Sequence, residues 1–225
     1  VFKDYHLKPV PIPMDENGMS MDALQQALKV HRPSLLYTIP TFQNPSGITL
    51  PEDRRKQLAQ LSKDCNFLIV ADEVYHFLNY TVPSPTPMAS FIEQGHILSL
   101  GSFSKILAPG LRTGWIHTDQ NRIHTLKESG LLDSGGGMNP FTSAILRSVL
   151  ENGDLETNIN ELRQSYASRL STLDRALAQY WPEADYRKPQ GGYFFWVQIP
   201  EIFDTNDYLA RAKAEYRVFY NPGSR

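Results

Sequence analysis

The chain has 225 residues, 41% of them hydrophobic and 20% charged, with a formal net charge of −2. That profile fits an ordinary soluble globular protein and gives no electrostatic footprint for nucleic acid or an anionic membrane. The single cysteine, Cys65, excludes an intrachain disulfide framework and a cysteine-rich metal site. No apolar run approaches the ~20 residues that span a bilayer. No signal-peptide pattern opens the sequence, so the cytoplasm is the expected compartment, with an organelle matrix as the alternative.

Val1 to Asp4 reads as the middle of a chain, and Val218 to Arg225 as an apolar strand running into a turn. One or both ends of the protein are therefore expected to lie outside this sequence. Pro9 to Gly18 is turn-rich. Ser20, then Asp22, Leu24, Ala27 and Leu28, predict a short capped helix. Ser34 to Ile39 is an apolar run stopped by Pro40, a predicted strand. Phe42 to Gly47 is turn chemistry, with Asn44-Pro45 initiating and Gly47 supplying a permissive φ. Pro51 opens a helix whose first turn carries Glu52 and Asp53, and Leu58, Leu61 and Cys65 form its expected buried stripe.

Phe67 to Ala71 predicts a strand buried on both faces, ending in Asp72-Glu73-Val74-Tyr75. Pro83, Pro85 and Pro87 make a loop. Ile97 to Leu100 and Leu111 to His117 are further predicted strands. Alternating strands and helices imply an α/β fold, with ligand groups delivered at strand carboxyl ends. Asn121 to Ser129 and Pro140 to Leu150 predict helices, separated by a glycine-rich loop, Ser134 to Asn139, that is mobile or presents its backbone. Leu155 to Tyr180 predicts a long helix packed through Ile159, Leu162, Tyr166, Leu170, Leu173 and Leu177. The tail then changes character. Strands at Ala184 to Lys188, Gly192 to Ile199 and Arg217 to Tyr220, with a helix over Asn206 to Glu215, predict a small α+β unit. The expected division is residues 1–155 for a large domain and 156–225 for a small one, joined through the long helix.

Four motifs carry chemistry. Ser102-Phe103-Ser104-Lys105, with Arg112 downstream, places hydroxyls, an amine and a guanidinium at the end of a strand. A lysine nucleophile needs its amine uncharged part of the time, and a buried, partly cationic site promotes that. Arg112 suits bidentate pairing with a phosphate, and the two serines supply further donors. Taken alone, Lys105 reads more readily as a surface lysine. Asp72 ends a buried strand, where a carboxylate is costly unless paired. A protonated pyridine nitrogen would pair it, as would a helix end or a nearby arginine. Tyr75 is either a donor to a ligand or a core aromatic with a satisfied hydroxyl. Asn44 is either an amide donor or simply a turn residue. The aromatic and apolar supply of Phe42, Tyr80, Phe141 and Tyr193 lines a pocket or fills the core.

In combination these segments are far more specific. The order Asn44-Pro45-Ser46-Gly47, Asp72-Glu73-Val74-Tyr75, Ser102-Phe103-Ser104-Lys105 and Pro109-Gly110-Leu111-Arg112-Thr113-Gly114-Trp115 resembles the fold-type I, class I/II aminotransferases. The details are nearest to the branch of 2-aminoadipate and kynurenine-type aminotransferases and the aminotransferase-like domains of some bacterial regulators. The resemblance continues through Gly191 to Trp196 and Asn221-Pro222-Gly223. It implies a mixed, mostly parallel sheet flanked by helices plus a small α+β domain, both incomplete here. It implies pyridoxal 5'-phosphate as cofactor and ping-pong transfer of an amino group between an amino acid and a 2-oxo acid. It gives Lys105 the cofactor Schiff base and the proton shuttle, and Asp72 the pyridinium nitrogen. Tyr75 and Asn44 take the phenolic oxygen, Asn44 also reaching the substrate carboxylate. Ser102, Ser104 and Arg112 take the phosphate, and Tyr37 lines the pocket. No metal is implied.

The family also carries an upstream glycine-rich phosphate loop, a ring-stacking aromatic and a downstream carboxylate-binding arginine. The first two have no equivalent after Val1, and Arg225 follows its turn too closely to be the third. A homodimer is implied for the complete protein, with Ser134 to Asn139 a candidate to reach a neighbour's site. The alternatives on the same scaffold are a lyase, a decarboxylase, a racemase, or a cofactor-binding sensor domain of a transcription regulator.

Overall fold

In the computed structural model, residues 3–133, 137, 139–200 and 203–223 are described. A short antiparallel pair, β1 (Met14–Asp15) and β2 (Gly18–Met19), leads into helix α1 (Met21–Val30). Ser20 caps α1 by accepting the Ala23 N–H, as its sequence position predicts. The central sheet follows: β3 (Leu35–Thr38), helix α2 (Glu52–Asp64), β4 (Leu68–Asp72), β5 (Ile97–Ser102) and β6 (Gly114–His117). Its order is β3-β4-β5-β6, the first three parallel and β6 antiparallel. This is the α/β arrangement read from the alternation of apolar runs.

The register aligns the strand ends. Thr38 lies opposite Ala71, and Asp72 opposite Leu100. Asp72, the residues after Thr38 and the turn after Ser102 therefore meet along one edge. The main core packs α1 and α2 on the sheet through Leu24, Leu58, Ala59, Leu36, Ile69, Ala71 and Ile97. Strand β4 alternates instead of being buried throughout: Ile69 and Ala71 are fully buried and Leu68 and Val70 half-buried, because only the α2 side receives that packing. The free thiol Cys65 is exposed, not buried. It takes the C-cap position of α2, where the helix has already turned away from Leu58 and Ser62.

Beyond the sheet come α3 (Gln120–Lys127), α4 (Gly130–Asp133), α5 (Pro140–Glu151) and the long α6 (Asp154–Tyr180). Much of the Ser134 to Asn139 loop lies outside the described residues, as does Arg225. Helix α6 buries Ile159 and Leu170, but Leu173 is exposed, so the packed stripe runs along the first two-thirds of the helix. A second core joins Ile159, Leu162 and Tyr166 of α6 to Phe42, Tyr75, Leu78, Ile106 and Phe194.

The tail is less regular than its pattern predicts. Among the described residues of the tail the paired strands are β7 (Asp185–Tyr186) and β8 (Val197–Gln198), before helix α7 (Thr205–Tyr216). Most of Gly192 to Ile199 is not strand, because Gly192 takes a positive φ and packs against Phe42. The predicted strand at Arg217 to Tyr220 is not formed either. Arg217 adopts a left-handed conformation that ends α7, the Val218 N–H returns to the Ala212 carbonyl, and the Tyr220 hydroxyl donates to the Thr205 carbonyl. The segment spends its hydrogen bonds on the preceding helix.

Candidate active site

Asp72 stands at the carboxyl end of β4. Tyr37 of β3 pairs in register with Val70, and alternation puts Asp72 on the same face. The Tyr37 hydroxyl donates to Asp72 Oδ2 at 2.7 Å. Asp72 Oδ1 is buried and has no hydrogen-bond partner among the described residues. An unpaired buried carboxylate oxygen is expensive, and native sites rarely keep one without a use for it. Burial and the neighbouring carboxylate both push the Tyr37 hydroxyl above its usual range, so it remains a neutral donor.

Tyr75 is buried in the turn after β4. Burial, then the charge of Asp72, raises its hydroxyl above the usual range, while a hydrogen bond from the Asn44 side chain opposes the shift. Asn44 is free to reach Tyr75 because its neighbour builds the turn. Gln43 Oε1 accepts from the Ser46 N–H at 2.9 Å and the Ser46 hydroxyl at 2.6 Å, and the Gly47 N–H closes onto the Gln43 carbonyl at 2.7 Å. Gly47 has the positive φ (71°) that such a closure needs.

The half-buried Lys105 sits in the turn after β5. The Phe103 carbonyl gathers the N–H groups of Leu107 and Ala108 at 2.8 and 3.1 Å, and the Asn158 side chain of α6 donates to the Ile106 carbonyl at 2.7 Å. Tyr193 holds the lysine directly. Its hydroxyl donates to the Lys105 carbonyl at 2.8 Å, and its ring centroid lies 5.4 Å from Lys105 Nζ. Tyr193 also stands 5.6 Å, ring to ring, from Tyr75.

Ser102 and Ser104 share one turn, with the Ser104 N–H donating to Ser102 Oγ at 3.1 Å. Arg112 is exposed, in a left-handed conformation (φ 49°), and its guanidinium reaches the Pro109 carbonyl at 3.4 Å. The fold thus brings Asn44 to Tyr75, Tyr37 to Asp72 and Tyr193 to Lys105, while Arg112 hydrogen-bonds within its own turn. The contact of Tyr193 with Lys105 has no signature in the sequence, since the two are 88 residues apart. The burial of Arg55 and Glu73 beside this site is a further feature that motif order does not reveal. A spacing signal was available: Arg55, Leu58, Ala59 and Ser62 fall on one helical face and are all buried.

The model for aminotransferase class I and II matches residues 1–224. The aromatic-amino-acid aminotransferase 1 of Thermococcus litoralis is 38% identical over 231 residues, covering 99% of this chain and 54% of its own length. An HTH-type transcriptional regulator of Bacillus subtilis, YisV, is 30% identical across 99% of this chain and 46% of its own. Among solved structures, the kynurenine aminotransferase of Pyrococcus horikoshii, in complex with PMP, superimposes with a TM-score of 0.86 at 34% identity. That match covers 94% of this chain and 54% of the other. The chain therefore spans about half the length of the relatives it matches.

Pyridoxal phosphate, the cofactor implied by these relatives, is consistent with the residues present. A protonated pyridine nitrogen is stabilised by a carboxylate oxygen free to accept from it, and Asp72 Oδ1 is buried with no partner among the described residues. With the motif order, the mixed sheet and the match across 1–224 in agreement, the chain belongs to the class I and II aminotransferase family.

Proposed function

We propose that the protein transfers an amino group between an amino acid and a 2-oxo acid, with Lys105 as the catalytic amine. The observation that carries this reading is the orphaned Asp72 Oδ1, placed at the same sheet edge as the lysine turn. Bound pyridoxal phosphate supplies the electron sink for charge developing at the substrate α-carbon. Asp72 holds the ring nitrogen in its protonated form. Tyr75 and Asn44 together hold the phenolic oxygen. Ser102, Ser104 and Arg112 receive the phosphate, with Arg112 swinging from the Pro109 carbonyl to do so. Lys105 Nζ would take the proton from the substrate α-carbon and deliver it to C4′ of the cofactor, a short transfer that suits an amine on a turn anchored by Tyr193.

In this reading residues 1–155 belong to the large domain and 156–225 to the small one, and a second copy completes the working dimer. The expected compartment is the cytoplasm or an organelle matrix. Among the described residues, no helix is long and apolar enough to cross a membrane.

The test uses the protein made from its complete reading frame. Adding pyridoxal phosphate should give a visible absorption band and a borohydride-stable adduct on Lys105, both lost in Lys105→Ala. Candidate aromatic and long aliphatic amino acids with 2-oxoglutarate should then yield glutamate with ping-pong kinetics. Release of ammonia without an acceptor would show a lyase instead.

The similarity to YisV across 99% of the chain favours a second reading, a cofactor-binding sensor domain of a transcription regulator. A DNA-binding segment upstream in the reading frame, together with specific operator binding, would establish it.

A further inference from the structure

Behind the site lies an ion pair that takes no part in the chemistry above. Arg55 of α2 is fully buried and Glu73, next to Asp72, is 6% exposed. Arg55 Nη1 lies 3.7 Å from Glu73 Oε1. Burial brings the Arg55 guanidinium down to about 10, with the Glu73 charge acting against the shift.

Their remaining hydrogen bonds go to the segments that carry the site. Arg55 Nε donates to the Leu50 carbonyl at 2.8 Å, and Nη2 to the Pro40 carbonyl at 2.7 Å and the Thr41 hydroxyl at 2.8 Å. One guanidinium thus grips both ends of the loop 40–50, whose tip is Asn44. The Leu50 N–H closes the same loop onto the Pro40 carbonyl at 2.8 Å. On the other side, Glu73 Oε1 accepts the Met88 N–H at 2.9 Å, and Oε2 accepts the Ser99 hydroxyl at 2.7 Å. Glu73 therefore fixes the end of β4, and with it Asp72, against β5. Arg55 Nη1 also donates to the Thr86 carbonyl at 3.2 Å.

We infer that the Arg55–Glu73 pair is a positioning device that holds the Asn44 loop in register with Asp72 and Tyr75 for the cofactor. A rigid fork is needed for this. An ammonium is a single point charge and cannot reproduce the planar spread of donors to Leu50, Pro40 and Thr41. Asn44 must meet the Tyr75 hydroxyl and a common ligand oxygen, and its loop has no regular secondary structure to fix it. The inference rests on the proposed cofactor reading.

Buried ion pairs permit a clean separation of stability from placement. Removing one partner strands a charge, whereas replacing both with apolar residues of similar volume is often neutral for stability. The variants are Arg55→Met, Arg55→Lys and the double Arg55→Met with Glu73→Leu, in the protein from its complete reading frame. Thermal unfolding without cofactor reports stability. Pyridoxal phosphate affinity and the visible circular dichroism of the bound cofactor report placement. Arg55→Met should lower the melting temperature. The double variant should recover part of that loss, because no charge is left stranded although the Leu50 and Pro40 carbonyls lose their donor, and should still bind the cofactor about tenfold or more weaker, as removal of a supporting shell commonly does, with a reduced dichroic band. Arg55→Lys should lose affinity as well. A double variant with wild-type affinity and dichroism would overturn the inference, since the pair would then be structural only. Failure of the unmodified protein to bind pyridoxal phosphate would instead overturn the cofactor reading itself.

Discussion

Tyr37 and Asp72, on adjacent parallel strands, share a 2.7 Å hydrogen bond that occupies one carboxylate oxygen and leaves the other buried and without a partner among the described residues. The carboxylate thereby presents a single acceptor toward the sheet edge. On the proposed reading the acceptor meets the cofactor and the donor only orients it, so the two residues should respond differently to substitution.

On the proposed cofactor reading, Asp72→Asn removes the carboxylate that would hold a ring nitrogen in its protonated form. Turnover should fall by ~100-fold or more, in the range seen when a key electrostatic group is removed from an active site. Tyr37→Phe should instead cost about 1 kcal/mol of stability or less, the usual worth of an intramolecular hydrogen bond, with a much smaller effect on turnover. Steady-state kinetics paired with urea unfolding of both variants checks this. Equal losses of turnover would contradict the division of roles.

Gly101, one residue before Ser102, lies under the Trp115 ring. A Cβ there would sit 2.0 Å from Trp115 Cε2. Gly101→Ala should destabilise by about 1–3 kcal/mol, as overpacking does. Gly110, with no atom of the described residues within 4 Å of an added Cβ, is the control, and Gly110→Ala should stay within about 0.5 kcal/mol of the parent. Thermal or urea denaturation compares them. Similar stabilities would mean the ring moves aside without cost.

Asp15 receives both guanidinium nitrogens of Arg54 at 2.8 Å. The Arg54 hydrogen bonds, and then the Asn17 N–H, hold its carboxyl below the usual carboxylate range. A carboxyl depressed on folding adds stability above its unfolded value near about 4, and loses it as pH falls through the folded value. Asp15→Asn should flatten the acid side of the stability profile and leave its shape above neutral pH unchanged. Chemical denaturation across pH 2–7, a window set by that unfolded value of about 4, measures the effect. An unchanged acid limb would show that the pair is screened by solvent.

How far the sequence reached depended on the range of the interaction. The Ser20 cap, the turn at Gly47 and the apolar runs that became β3, β4 and β5 are local, and each was legible. So was the order of the four motifs, because each motif is contiguous and carries its own chemistry. The apolar tail Arg217 to Tyr220 misled for the same reason. Its pattern is that of a strand, yet a strand needs a partner, and this segment satisfied its backbone and Tyr220 on α7. Spacing alone places Leu173 and Cys65 on buried stripes, yet both are exposed where their helices run past the core.

The sequence by itself determined the family, the α/β class and the lysine, aspartate, tyrosine and asparagine expected in the site. Periodicity and short motifs encode local conformation and residue chemistry, and those suffice for that much. Only the tertiary structure decided which side chains share atoms. It joined Tyr37 to Asp72 across 35 residues, Arg55 to the two ends of the Asn44 loop, and Tyr193 to Lys105 across 88. Those pairings follow from strand register and from the packing of α6 and the Gly192 segment over the sheet edge. No stretch of sequence contains both halves of such a contact.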